Sequence, residues 1–238
     1  MILLYILGGI LALLLLYALF VGVCALLVRP QKDYDSNSPF YRFLLNSATW
    51  LTLRLLRIRV HVTGKEKLPV GTRLLFVGNH RSNFDPIVTW YAFRQWRIAY
   101  VSKPENFKLP LFGRIIHRCG FLPIDRENPR RALTTVNKEA KRLKSGELSI
   151  GIYPEGTRNK NGGLLPFHNG VFKIAQKADA PIAVVYVTGT QEVHKRTPFQ
   201  RTHVYVEVLE VFSHVQGNTE MIGAAVRHLL QGQIQKER

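Results

Sequence analysis

The stretch Arg73-Leu74-Leu75-Phe76-Val77-Gly78-Asn79-His80-Arg81-Ser82-Asn83-Phe84-Asp85-Pro86 reads as a buried strand that breaks into a tight polar turn, after which a proline opens a helix. Its apolar run of Leu74 to Val77 is short and unbroken, as expected of a strand covered on both faces of a sheet. A strand that ends in a polar turn is where an α/β sheet presents side chains to a ligand crevice. Across such a turn His80 and Asp85 can fold back toward each other. The carboxylate then holds the imidazole in one tautomer while the other ring nitrogen takes a proton from a hydroxyl. The same two residues also suit the capping of the following helix, and their spacing alone does not choose between these readings.

Outward from this segment the chain alternates between two hydrophobic periods. Strands are expected at 58–63, 73–78, 98–102, 120–124, 148–153, 181–189 and 202–209, and helical spacing at 86–95, 111–118, 129–145, 168–178 and 219–231. Asn128-Pro129 has the form of an N-cap followed by proline at the first helical position. Alternating strands and helices predict one α/β domain, residues 58–238, with a largely parallel central sheet covered by helices.

A different composition precedes it, at 1–57. Residues 2–28 carry no charged side chain, and at about 1.5 Å per residue they are long enough to cross a hydrocarbon core of about 30 Å. No basic region precedes this run and no small-residue cleavage site follows it, which argues for a retained anchor over a signal peptide. Arg29 and Lys32 follow the run directly, so the positive-inside rule sets the α/β domain in the cytoplasm. After a linker at 31–38, residues 40–56 form a second apolar segment with Arg42, Arg54 and Arg57 near its ends. Its central uncharged part is short for a span. An interfacial helix with arginines among the head groups suits it better than a helix of the soluble core.

The chain has 33 Lys+Arg against 16 Asp+Glu, a formal net charge of +17, which suits an anionic partner such as a bilayer surface, an acidic carrier or a phosphorylated substrate. Zinc-ligand spacing, a helix-turn-helix cue and an aromatic-basic platform are missing from the sequence, so a nucleic-acid partner is not expected. Cys24 and Cys119 show neither metal-ligand nor disulfide spacing and read as buried thiols.

A second polar turn gives the His80–Asp85 pair its context. The apolar run 148–153 breaks into Pro154-Glu155-Gly156-Thr157-Arg158, where Gly156 permits a sharp turn and Arg158 offers a planar fork that matches phosphate oxygens. Taken together, Asn79-His80-x-Ser82-x-x-Asp85 and Pro154-Glu155-Gly156-Thr157-Arg158 resemble glycerolipid acyltransferases of the 1-acylglycerol-3-phosphate type. The resemblance extends through Gly120-x-x-x-Ile124-Asp125-Arg126, Pro166-Phe167-x-x-Gly170 and the apolar block at Pro181, covering roughly residues 60–190.

It implies that His80 is the general base and Asp85 its orienting partner. It also implies that Lys103, Arg126 and the turn Glu155, Gly156, Thr157 and Arg158 bind an acceptor phosphate. The implied reaction is acyl transfer from an acyl thioester, on coenzyme A or an acyl carrier protein, to the free hydroxyl of a lysophospholipid, 1-acylglycerol-3-phosphate above all. Glycerol-3-phosphate or another lysophospholipid is the alternative acceptor. Membrane phospholipids are the implied surroundings, and neither a metal nor a redox cofactor is implied. Ser82 is too near His80 in sequence to be an evident nucleophile, which leaves it a role in the turn. Two positions depart from the family pattern: His168 stands where a lysine is common, and Val184 where a second proline often follows Pro181.

Overall fold

The computed structural model describes residues 1–238 except 31, 33, 35, 36, 198, 214–216 and 238, so part of the expected linker at 31–38 lies outside the described residues. In chain order the elements are α1 (Ile2–Leu26), α2 (Pro39–Leu55), β1 (Ile58–Thr63), β2 (Leu75–Gly78), α3 (Asp85–Ala92), β3 (Ile98–Ser102), α4 (Pro104–Lys108) and α5 (Phe112–Arg118). They continue with β4 (Leu122–Pro123), α6 (Pro129–Lys144), β5 (Ser149–Ile152), α7 (Lys173–Ala178), β6 (Ile182–Thr188), α8 (Val193–Arg196), β7 (Thr202–Phe212) and α9 (Thr219–Lys236). Asn128 caps α6 by accepting the Arg131 N–H at 3.1 Å, and Asn218 caps α9 by accepting that of Met221 at 2.9 Å. Helical spacing is invisible in α4 and α8, which are too short to register it. The expected helix at 168–178 divides into a 3₁₀ turn at Asn169–Phe172 and then α7.

The described strands form one sheet in the order β1-β7-β6-β2-β5-β3-β4, parallel at every neighbouring pair except β6–β7. All residues of β2 and β5 are buried, as a doubly covered parallel strand requires. These two strands lie side by side with Val77 opposite Ile152, so their carboxyl ends emerge together. From β2 the chain proceeds through α3 to β3 on one side, and from β5 through α7 to β6 on the other. The two connections leave in opposite directions, each passing the other's strand, so the shared carboxyl end of β2 and β5 is a switch point of the kind where α/β sheets bind ligands.

Helix α2 packs on α3, α5 and β1. Arg42 on its inner face is buried. It donates to the carbonyls of Ile98 and Cys119, both at 3.0 Å, and its guanidinium lies 4.7 Å from the centre of the Trp90 ring. Burial pulls this guanidinium down to about 10, opposed by Cys119. The expectation that the arginines of this segment lie among head groups therefore fails for Arg42, because two buried carbonyls need its donors. The outer face of α2 keeps Phe40, Phe43, Trp50 and Leu55 exposed, together with Arg54. Near its carboxyl end α1 leans on the domain: Tyr41 donates to the Cys24 carbonyl at 2.8 Å and Arg114 to that of Leu26 at 3.0 Å.

On α6 a carboxyl group is buried without a hydrogen bond among the described residues. Glu139 is fully buried, and neither of its carboxyl oxygens has a hydrogen-bond partner among the described residues. Arg142 Nη1 stands 4.0 Å away and donates instead to the Gly120 carbonyl. Burial pushes Glu139 up from 4.5 to about 8, only partly opposed by Arg142 and Lys138. The folded chain thus keeps a proton that the unfolded chain releases, and stability contributed by this proton falls as pH rises from about 4.5 to about 8. Glu139→Gln is expected to remove that decline. Melting curves of both proteins across this range should diverge toward high pH, and curves that stay parallel would contradict the assignment.

Candidate active site

The turn after β2 is built around one carboxylate. Asp85 has no exposed surface, and its Oδ2 accepts His80 Nδ1–H at 2.8 Å and the backbone N–H groups of Arg81 and Ser82, both at 2.7 Å. Its Oδ1 accepts the Thr190 hydroxyl, which arrives from the loop after β6. An ionised carboxylate has no hydrogen to offer, so the hydrogen in the His80 contact belongs to Nδ1. Nε2 is left as the ring nitrogen without a partner among the described residues. Ser82 Oγ accepts the Phe84 N–H at 3.2 Å, a role within the turn. Asn79 pins the strand end by exchanging two hydrogen bonds with the backbone of Val187, each 2.8 Å.

The turn after β5 is tied to the first. Glu155 Oε1 accepts the His80 N–H at 2.8 Å and Oε2 the Leu165 N–H at 2.9 Å. The Asn159 N–H donates to the His80 carbonyl at 2.8 Å. Both carboxyl oxygens of Glu155 are thus committed to backbone, and the residue is buried behind the turn. The resemblance groups it with the phosphate-binding residues, whereas its place here is that of a clamp between the two turns. Burial raises the Glu155 carboxyl from its ordinary value, opposed by those two N–H donors. Gly156 takes a φ of 71°, and a Cβ there would come within 2.9 Å of the His168 ring, so the turn requires glycine.

A cavity of about 710 Å³ lies in front of the two turns. His80, Lys103, Arg126, Gly156, Thr157, Arg158 and His168 line its polar part. Leu45 and Ala48 of α2, Trp90 of α3, Ile116 of α5 and Phe121 line the apolar part. Of the site residues singled out in the sequence, only Asp85 and Glu155 stand behind the wall rather than in it. Burial lowers Arg126 from its ordinary value, opposed by Glu105, which leaves a cation held partly out of water. Arg81 turns elsewhere, with Nη1 3.4 Å from Glu237 and its guanidinium 5.7 Å from the centre of the Tyr186 ring.

Sequence reasoning missed Thr190, Thr89 and Tyr153. Tyr153 stacks on the His80 ring, and Thr89 donates to the Asp85 carbonyl at 2.7 Å. Thr190 lies 105 residues from Asp85, and its only sequence signal is its position just after a strand end and Gly189.

The geometry combines an oriented imidazole, a cluster of cations and an apolar trough in one cavity. A family model described as Acyltransferase matches residues 59–188. The 1-acyl-sn-glycerol-3-phosphate acyltransferase of Haemophilus influenzae is 31% identical over 68% of this chain and 69% of its own length. The protein of the same name from Salmonella typhimurium is 31% identical over 67% of this chain and 66% of its own length. The crystal structure of the 1-acyl-sn-glycerophosphate (LPA) acyltransferase PlsC from Thermotoga maritima superposes with a TM-score of 0.69, covering 93% of this chain and 88% of that one. At 22% identity this last likeness speaks for the fold.

Proposed function

This chain belongs to the acyltransferase family, and from that premise we propose that it transfers a fatty acyl group from a thioester to the free hydroxyl of 1-acylglycerol-3-phosphate, giving phosphatidic acid. The observation that carries the reading is the 2.8 Å contact from His80 Nδ1 to the buried Asp85, made on the wall of a cavity that also holds Lys103, Arg126 and Arg158. With Nδ1 occupied, Nε2 accepts the proton of the acceptor hydroxyl as its oxygen attacks the thioester carbonyl carbon. Asp85 stabilises the imidazolium. The tetrahedral intermediate expels the thiolate, which takes the proton back from Nε2, so ester and free thiol leave and the enzyme is restored.

The cations give the phosphate its place. Arg158 offers paired charge-assisted donors, Arg126 is partly shielded from water, and Lys103 adds a third positive charge. The apolar trough along α2 and α3 suits acyl chains. The donor is an acyl thioester on coenzyme A or an acyl carrier protein.

We further propose that α1 anchors the protein in a membrane, with the catalytic domain on the cytoplasmic side and the outer face of α2 in the interface. Helix α1 is long and apolar enough to cross a membrane by length and composition, and Phe40, Phe43 and Trp50 with Arg54 suit an interfacial face. Deleting residues 1–28 is expected to release part of the protein from membranes, and a carboxyl-terminal reporter is expected to be cytoplasmic. Release of the full-length chain by alkaline washing, or a reporter signal on the opposite side, would contradict this arrangement.

Kinetics with lysophosphatidic acid test the chemistry. His80→Ala is expected to lower kcat on the order of a hundred to ten thousand fold, with a lower melting temperature from the donor that buried Asp85 loses but a protein that still folds. Asp85→Asn should also be severely impaired, and the double variant little worse than His80→Ala, since both serve one proton transfer. Arg158→Ala should act mainly on KM for the phosphate-bearing acceptor, with Arg158→Lys rescuing it only in part. A folded His80→Ala protein that keeps most of its activity would overturn the mechanism, and unchanged KM in both Arg158 variants would overturn the phosphate site.

A further inference from the structure

We propose that Tyr153 is a positioning residue for the base: its ring is the plate on which the His80 imidazole rests, and it stabilises the imidazolium formed during transfer. The proposal rests on the reading of His80 as the base. The two rings stack with centroids 4.4 Å apart and planes 18° apart. The negative face of an aromatic ring attracts a cation above it, so this stack grows stronger when His80 gains its proton. It therefore favours the state that proton transfer creates.

The plate itself is held by hydrogen bonds that converge on the Thr89 hydroxyl. Thr89 Oγ1 donates its single hydrogen to the Asp85 carbonyl at 2.7 Å. With that hydrogen committed, Thr89 Oγ1 serves as acceptor toward the hydroxyls of Tyr100 at 2.6 Å and Tyr153 at 3.0 Å. Burial holds both phenols above their ordinary value, which keeps them as donors. Tyr100 lies parallel to Tyr153 at 3°, with centroids 5.9 Å apart. Thr89 sits one turn into α3, the helix that begins at Asp85. One hydroxyl thus joins the plate under the imidazole to the helix that carries the imidazole's partner. Gly78 makes room for this, since a Cβ there would stand 3.3 Å from Tyr153 Cε1.

The charged groups around His80 set the background against which the stack acts. Asp85 holds Nδ1, Glu155 takes the backbone N–H, and Lys103, Arg126, Arg158 and His168 line the same cavity. None of these changes when only the ring at position 153 is altered. Loss of the electron-rich face should lower the proton affinity of His80 by about half a pH unit or more. The acid limb of the rate profile then moves to lower pH, and the weaker base lowers kcat on the plateau.

The test is a series at position 153: Tyr153→Phe, the same phenylalanine carrying first two and then five ring fluorines, and Tyr153→Leu. Fluorination weakens the negative face while nearly preserving shape, so the series remains informative even where Tyr153→Leu does not fold. Tyr153→Phe is expected to keep kcat within about fivefold of the parent. Each fluorination step should lower kcat and shift the acid limb downward, with KM for lysophosphatidic acid little changed. A fluorinated series with the kcat and acid limb of Tyr153→Phe, and an unmoved His80 imidazole titration by NMR, would overturn the proposal. If that titration moves while the acid limb does not, the stack stands and the reading of His80 as the base falls.

Discussion

A carboxylate with no access to water organises this protein's site. Asp85 takes three N–H donors on one oxygen and a hydroxyl on the other. A buried carboxylate is costly unless its lone pairs are met, so the two segments that supply these donors are held to one geometry. They are the turn after β2 and the loop after β6, and both close on the first turn of α3, which carries Asp85 itself. Asp85 also occupies the amino-terminal end of α3, where the helix dipole favours a negative charge. Orientation of the imidazole is a consequence of this local need for donors.

The rest of the site follows from which strands are neighbours. Because β2 and β5 are parallel and adjacent, two turns far apart in sequence meet, and Glu155 locks them through the His80 N–H. The same adjacency brings Tyr153, at the end of β5, under the His80 ring. Helix α2 then closes the apolar side of the cavity, held there by the buried Arg42. One helix thus shapes the trough from its inner side and presents an apolar outer face, which ties the position of the acyl chain to that of the membrane in the proposed function.

Much of the fold is legible in the sequence because it rests on local pattern. The limits 98–102 match β3 because the strand is apolar and sharply bounded, and Asn128-Pro129 marks the start of α6. The reversed direction of β7 beside β6 is not legible, since pairing partners leave no mark on hydrophobic alternation. Within the site, the two polar turns are legible as strand ends, and the family resemblance gives them roles. Thr190 is not, because its link to Asp85 spans 105 residues and exists only once β6 is placed beside β2. Arg42 reads as a surface arginine for a similar reason. Its carbonyl partners, Ile98 and Cys119, are 56 and 77 residues away.

The central claim is that Asp85 fixes His80 in the tautomer with hydrogen on Nδ1 and leaves Nε2 free to take a proton. Nitrogen-15 NMR of the histidine ring reads this directly in the resting protein, at a pH where the imidazole is neutral. The account predicts a protonated Nδ1 and an unprotonated Nε2 for His80, with that preference lost in Asp85→Asn. A neutral His80 carrying its hydrogen on Nε2 would contradict it.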